Sequence, residues 1–183
     1  MLNTGSIKKE VILLLKSDDF SMEEICKFPL KKLITPLTSC LAKEELKWNA
    51  IKSMGVVVSK IAIENIEDAR IIMRRFMWNL TEECGGIGWG IPEAMGEIMA
   101  CSEILAKEYV KILVSYINEE GNFLEYEPLQ HGVLWGIRRL AEVRPELLKE
   151  CEAQKYLCDF LTSNDNIIKE LATESLEMME SSL

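Results

Sequence analysis

The stretch RRFMWNLTEECGGIGWGIPEAMGE, residues 74–97, decides the fold. Its first part completes an apolar stripe of Ala69, Ile72, Met73, Phe76 and Leu80. That spacing of three and four residues is one face of a helix. Cys84-Gly85-Gly86-Ile87-Gly88-Trp89-Gly90 then breaks the pattern, because glycine carries the largest entropic cost of any ordinary helix residue. Pro92 opens a second helix, with Ala94, Ile98, Cys101 and Leu105 on one face. Helix, break, helix is the unit of an all-α chain.

The same period extends in both directions. Ile7, Val11, Leu14 and Leu15 predict an N-terminal helix, and Ser21 with Glu24 has the spacing of a capping box. Phe28-Pro29 ends that segment, and Thr35-Pro36 reads as N-cap and first turn of a short helix to about residue 41. A long helix is expected from Glu44 to about residue 63, and Asn65 caps the next, from Ile66 to about residue 82. Val56-Val57-Val58 is the best strand candidate, yet it lies inside a helical pattern. After a bend near Ala106, residues 109–117 continue as helix and 118–127 form a loop. Pro128 opens a helix to Val143. Helices of about 146–161 and 165–179 follow, joined by Thr162-Ser163-Asn164. No segment alternates with period 2.

The chain also echoes itself. Trp48 to Gly55 resembles Trp89 to Gly96 at an offset of 41 residues. Arg139-Leu140-Ala141-Glu142-Val143 echoes Ala94-Met95-Gly96-Glu97-Ile98 at 45, and Ser175 to Met179 is a fainter echo at 36. Each echo lies on the second helix of a hairpin and sets a small residue beside a large apolar one. Paired helices repeating at about 40 residues fall in the HEAT or armadillo range. The pattern A-x-G/A-x-I/V resembles HEAT-like repeats, particularly those of phycobilisome lyases. Residues 74–97 resemble the signature of a small prokaryotic HEAT-like family with no assigned activity. The resemblance covers about Pro29 onward. It implies one α-α superhelix of about four helical hairpins over 29–183, with residues 1–28 as N-terminal capping helices.

Composition narrows the function. Lys+Arg number 21 against 30 Asp+Glu, a net charge of −9, which repels nucleic acid and anionic lipid. One histidine nearly excludes a multi-histidine metal site, and the EF-hand spacing of oxygen ligands is absent, so no metal or cofactor is expected. None of the six cysteines forms a C-x-x-C pair, and no apolar run is long enough for a signal core or a membrane span. A cytoplasmic protein with reduced thiols is expected.

Candidate binding residues lie off the core stripes. On the helix from Ile66 they are Arg75, Trp78 and Glu82, followed by Glu83; around Pro92 they are Trp89, Glu93 and Glu97. Earlier in the chain stands Trp48, and after Pro128 stand His131, Trp135 and Arg138. In a HEAT-like stack the second helices line a concave binding face, and Trp with Arg are typical interface anchors. The plain alternative is that these faces pack on neighbouring repeats and that His131 is structural. The glycine run lacks G-x-G-x-x-G and P-loop spacing. Catalysis by Cys84 would need His131 nearby in space.

The expected function is a non-catalytic adaptor or scaffold that binds a protein, oligomeric state unspecified. The alternative, implied by the lyase resemblance, is a cofactor- or small-molecule-handling protein with a Trp/Arg/His/Glu pocket. Some HEAT-like folds are DNA glycosylases, but the acidic charge opposes that role.

Overall fold

A computed structural model describes residues 4–17, 19–81 and 86–181. They form eleven helices and no strand. The chain divides into two compact units, residues 1–94 and 95–183.

In the first unit α1 (Thr4–Lys16), α3 (Leu30–Thr38), α4 (Glu44–Glu64) and α5 (Ile66–Asn79) pack around one core, with the single turn α2 (Met22–Ile25) against α1. Ile7, Val11 and Leu15 bury one stripe of α1. Leu33 and Leu37 do so for α3, Met54 and Ile61 for α4, and Ala69, Met73 and Phe76 for α5. Val57 and Val58 are helical and fully buried, so burial overrides their strand propensity. The side chain of Asn65 caps α5, accepting from the Glu67 amide at 3.0 Å.

In the second unit α8 (Glu127–Ala141) packs most extensively on α11 (Asn166–Glu180), with α7 (Glu103–Ser115), α9 (Pro145–Glu150) and α10 (Ala153–Phe160) around them. The unit boundary falls within α6 (Ile91–Cys101). Asp165 caps α11, accepting from the amides of Ile167 (2.8 Å) and Ile168 (3.1 Å).

Several boundaries differ from the sequence expectation. Pro36 lies inside α3, whose N-cap is Pro29. The helix forgoes the hydrogen bond to the Lys32 carbonyl, while Leu33, Ile34, Pro36 and Leu37 are all buried. The capping box at Ser21 is not made; Glu24 pairs with Lys27 instead. The expected bend at Ala106 is a break at Ser102, which is extended (φ −134°). Arg144 answers the orphaned carbonyls just before it, donating to those of Met99 (3.2 Å) and Ala100 (3.3 Å). The single helix expected over 146–161 is two, parted at Glu152 in the left-handed region (φ 54°).

Several side-chain contacts join residues 34 to 42 positions apart. Asn49 donates to the Leu15 carbonyl 34 residues away, Arg139 reaches Glu97 across 42, and Arg138 reaches Glu174 across 36.

Candidate functional site

Trp48, Arg75, Trp78, Trp89 and Glu93 fall in the first unit; Glu97, His131, Trp135 and Arg138 fall in the second. Glu82, Glu83 and Cys84 lie outside the described residues.

Three tryptophans gather at one end of the first unit. The α4–α5 corner is Asn65. At about 1.5 Å of rise per residue, Trp48 on α4 and Trp78 on α5 both lie roughly 20–25 Å from that corner, on the same side of it. Trp89 joins them through two glycines with φ of +71°. A Cβ on Gly88 would lie 2.8 Å from the carbonyl oxygen of Asn79, the residue after Trp78. A Cβ on Gly90 would lie 2.7 Å from the Leu41 carbonyl oxygen, in the turn before α4. Only glycine fits both the left-handed backbone and these close approaches. Lys47 completes the arrangement: its ammonium is 2.5 Å from the Glu93 carboxylate at the start of α6 and 5.2 Å from the Trp48 ring centroid.

The rings are exposed for their size: Trp48 46 %, Trp78 52 % and Trp89 41 %. Ile87 in the same connection and Ile71 on α5 are also exposed. Arg75, one turn before Trp78 on α5, is exposed as well. Glu93, in contrast, is buried and already neutralised by Lys47.

The polar candidates of the second unit are occupied by one another. His131 Nε2 lies 2.8 Å from the Asp165 carboxylate whose other oxygen caps α11. The Ile168 and Ile167 amides, then His131, hold Asp165 below its usual carboxylate pKa. Arg138 donates to Glu174 on α11 and to Glu142 at 2.8 Å, and the Glu174 contact foremost raises its pKa. Glu97 is buried and accepts from Arg139 at 2.6 Å and from the Cys101 thiol at 3.6 Å. Trp135 is half-buried. These residues hold α6, α8 and α11 in register; Arg138 has two carboxylates already and His131 one.

Arg139 was not singled out by the sequence. No local signal marks it, because its partner Glu97 stands 42 residues away. Among the described residues no group of three or more His, Cys, Asp and Glu is placed to hold a metal ion. No helix among them is long and apolar enough to cross a membrane.

No family model matches the chain, and no curated protein matches it. Three crystal structures described as engineered proteins of the Northeast Structural Genomics Consortium are similar in fold. The first has a TM-score of 0.61 at 18 % identity, covering 97 % of this chain and 43 % of its own. The second has 0.57 at 19 %, covering 99 % and 81 %, and the third 0.59 at 16 %, covering 100 % and 78 %. The chain thus spans less than half the length of the first. At such identities the likeness is one of backbone arrangement.

Proposed function

We propose that this chain is a non-catalytic protein-binding adaptor, built as a HEAT-like α-solenoid, that grips its partner through the tryptophan end of the first unit. The observation that carries this reading is the gathering of Trp48, Trp78 and Trp89, each more than two-fifths exposed, at one end of the α4–α5 hairpin. Large apolar rings left in water together are a standing cost that a partner's surface removes. Trp is also the residue type most enriched at binding hot spots. Two glycines and the Lys47–Glu93 pair fix the backbone from which these rings project, so less ordering entropy is lost on binding. The contacts at separations of 34 to 42 residues support the solenoid reading, since stacked repeats touch only their neighbours. The free thiols fit a reducing cytoplasm. The small-molecule alternative has less support, because Arg138, Glu93 and Glu97 are ion-paired internally and His131 is hydrogen-bonded to Asp165.

The test is affinity capture from the native organism with wild type and a Trp48→Ala/Trp78→Ala/Trp89→Ala variant, followed by binding to the purified captured protein. Hot-spot truncations cost about 2 kcal/mol or more each, roughly 30-fold per ring. Loss of the partner with unchanged helicity supports the proposal. A variant that binds as well as wild type, or one that unfolds, overturns it.

A further inference from the structure

The net charge of the chain is not shared between its units. Residues 95–183 contain 17 Asp+Glu against 8 Lys+Arg, while residues 1–94 contain 13 of each. The whole −9 therefore belongs to the second unit.

That unit has a groove where the chain after α7, the start of α8, the end of α10 and the start of α11 come together. Its floor is apolar: Ile117 and Ile168 are buried. Phe123 and Phe160 are half-buried walls. Three exposed carboxylates, Glu119, Glu127 and Asp159, border it. None of the three forms an ion pair with a described residue. Lys155, one turn before Asp159, lies instead over the Tyr156 ring. The other polar side chains of the groove serve the backbone. Gln130 donates to the Leu124 carbonyl at 2.9 Å, and Ser163 accepts from the Asp165 amide at 3.1 Å. Helix dipoles do not set the sign here, since α7 and α10 end at the groove while α8 and α11 begin there. The carboxylates therefore decide it.

The volume is about 240 Å³, below the roughly 300–1,000 Å³ of small-ligand pockets. It suits one or two side chains of a larger molecule. Tyr126 and Ile167, each one residue from the groove, are about half exposed and extend the apolar ground beyond it.

We propose that this groove docks a basic segment of a partner protein, with an apolar side chain seated between Phe123 and Phe160 and neighbouring Lys or Arg side chains meeting Glu119, Glu127 and Asp159. Charge complementarity selects the occupant. The free carboxylates attract a cation, the rings favour one by cation–π contact, and the apolar floor accepts the stem or an adjacent hydrophobe. The inference stands on the second unit alone and is independent of the tryptophan end.

The probe is the capped peptide acetyl-Lys-Leu-Arg-Phe-Lys-Leu-amide, titrated into the full isotope-labelled chain and followed by amide NMR. Controls are the same peptide with Glu at each basic position and one with Ser at each apolar position. Saturable shifts confined to residues 117–130 and 159–168 are expected. Each control should bind at least tenfold more weakly, and affinity should fall as salt rises. Glu119→Gln/Glu127→Gln/Asp159→Asn removes only exposed charges and should keep its fold while losing about tenfold in affinity. The Trp48→Ala/Trp78→Ala/Trp89→Ala variant should bind the peptide unchanged. Undiminished binding by the neutralised variant, shifts centred elsewhere, no saturable shift, or displacement by spermine at equal affinity would each overturn the proposal.

Discussion

Gly96→Ala sets packing against helix propensity, and the two give opposite signs. A Cβ at Gly96 on α6 would lie 2.3 Å from the Gly136 Cα on α8, 2.8 Å from its carbonyl oxygen and 2.9 Å from its carbonyl carbon. Favourable carbon–carbon contact lies at about 3.5–4.0 Å, so the two backbones must separate by roughly 1 Å or more. The three nearest atoms are all backbone, so they cannot swing aside as a side chain would. Overpacking of this kind costs about 1–3 kcal/mol, and a backbone clash belongs at the upper end. The Glu97–Arg139 bond beside it, 2.6 Å long, stretches with the same movement. Against this, alanine gains about 1 kcal/mol over glycine in a helix interior. The net expectation is a loss of about 2 kcal/mol. For a chain of this size, at roughly 2–4 °C per kcal/mol, that lowers Tm by about 4–8 °C. The assay is thermal unfolding followed by far-UV circular dichroism. Gly5→Ala is the control, because a Cβ there meets nothing within 4 Å, and its Tm should hold or rise. A Gly96→Ala protein more stable than wild type would refute the close α6–α8 contact.

Arg139→Ala leaves the buried Glu97 without its cation. Breaking such a pair costs about 3–5 kcal/mol when fully buried, and the quarter-exposed Arg139 side chain reduces this to about 2–3, measurable by urea unfolding. Burial, then the Glu97 charge, pushes the Cys101 thiol pKa up to about 11, so it should alkylate far more slowly than exposed Cys158 in peptide mapping. The depressed pKa of Asp165 contributes stability above the ordinary carboxylate range and loses it as pH falls through the folded-state value. Asp165→Asn should therefore lower Tm near neutrality, and the gap from wild type should close in acid; a gap constant with pH would show that the carboxylate charge is not involved.

The helices were legible wherever one face is apolar. Ala69, Ile72, Met73, Phe76 and Leu80 are all buried as their spacing predicts. The cap at Asn65 was legible because its side chain lies only two residues from the amide that donates to it, whereas Asp165, read as the first residue of the last helix, is in fact its cap. Gly96 stood out as a small residue in the repeated pattern, but Gly136, the residue that requires it to be small, lies 40 positions on and carries no local mark. The break at Glu152 was not legible, since no glycine, proline or asparagine announces a left-handed residue there. Pro36 misled because a proline usually opens a helix, and burial of its neighbours outweighed that preference. For the candidate surface, the sequence set the tryptophans apart from the core stripes. Glu93 and Glu97 looked equally available, because their cations stand 46 and 42 residues away and only folding brings them together.

The division of charge also changes the ground for excluding phosphate ligands. A net charge of −9 opposes nucleic acid at residues 95–183, where all of it resides. Residues 1–94 are balanced, so total charge says nothing about that unit. Local pairing carries the argument there. Lys16 faces Glu45, Lys27 faces Glu24, Lys31 faces Asp68, Lys47 faces Glu93, and Arg70 and Arg74 both face Glu67. A phosphate backbone would have to compete with each carboxylate for its cation, and most of these pairs are exposed enough to be weak. What opposes it is geometry. Six of the thirteen basic residues of this unit stand beside one of its own carboxylates, and each would have to exchange that partner before a phosphate could draw affinity from it. The tryptophan end is left with apolar area as its main currency, and the groove of the second unit with negative charge. The two surfaces therefore differ in chemistry, exposed rings at one and unpaired carboxylates at the other.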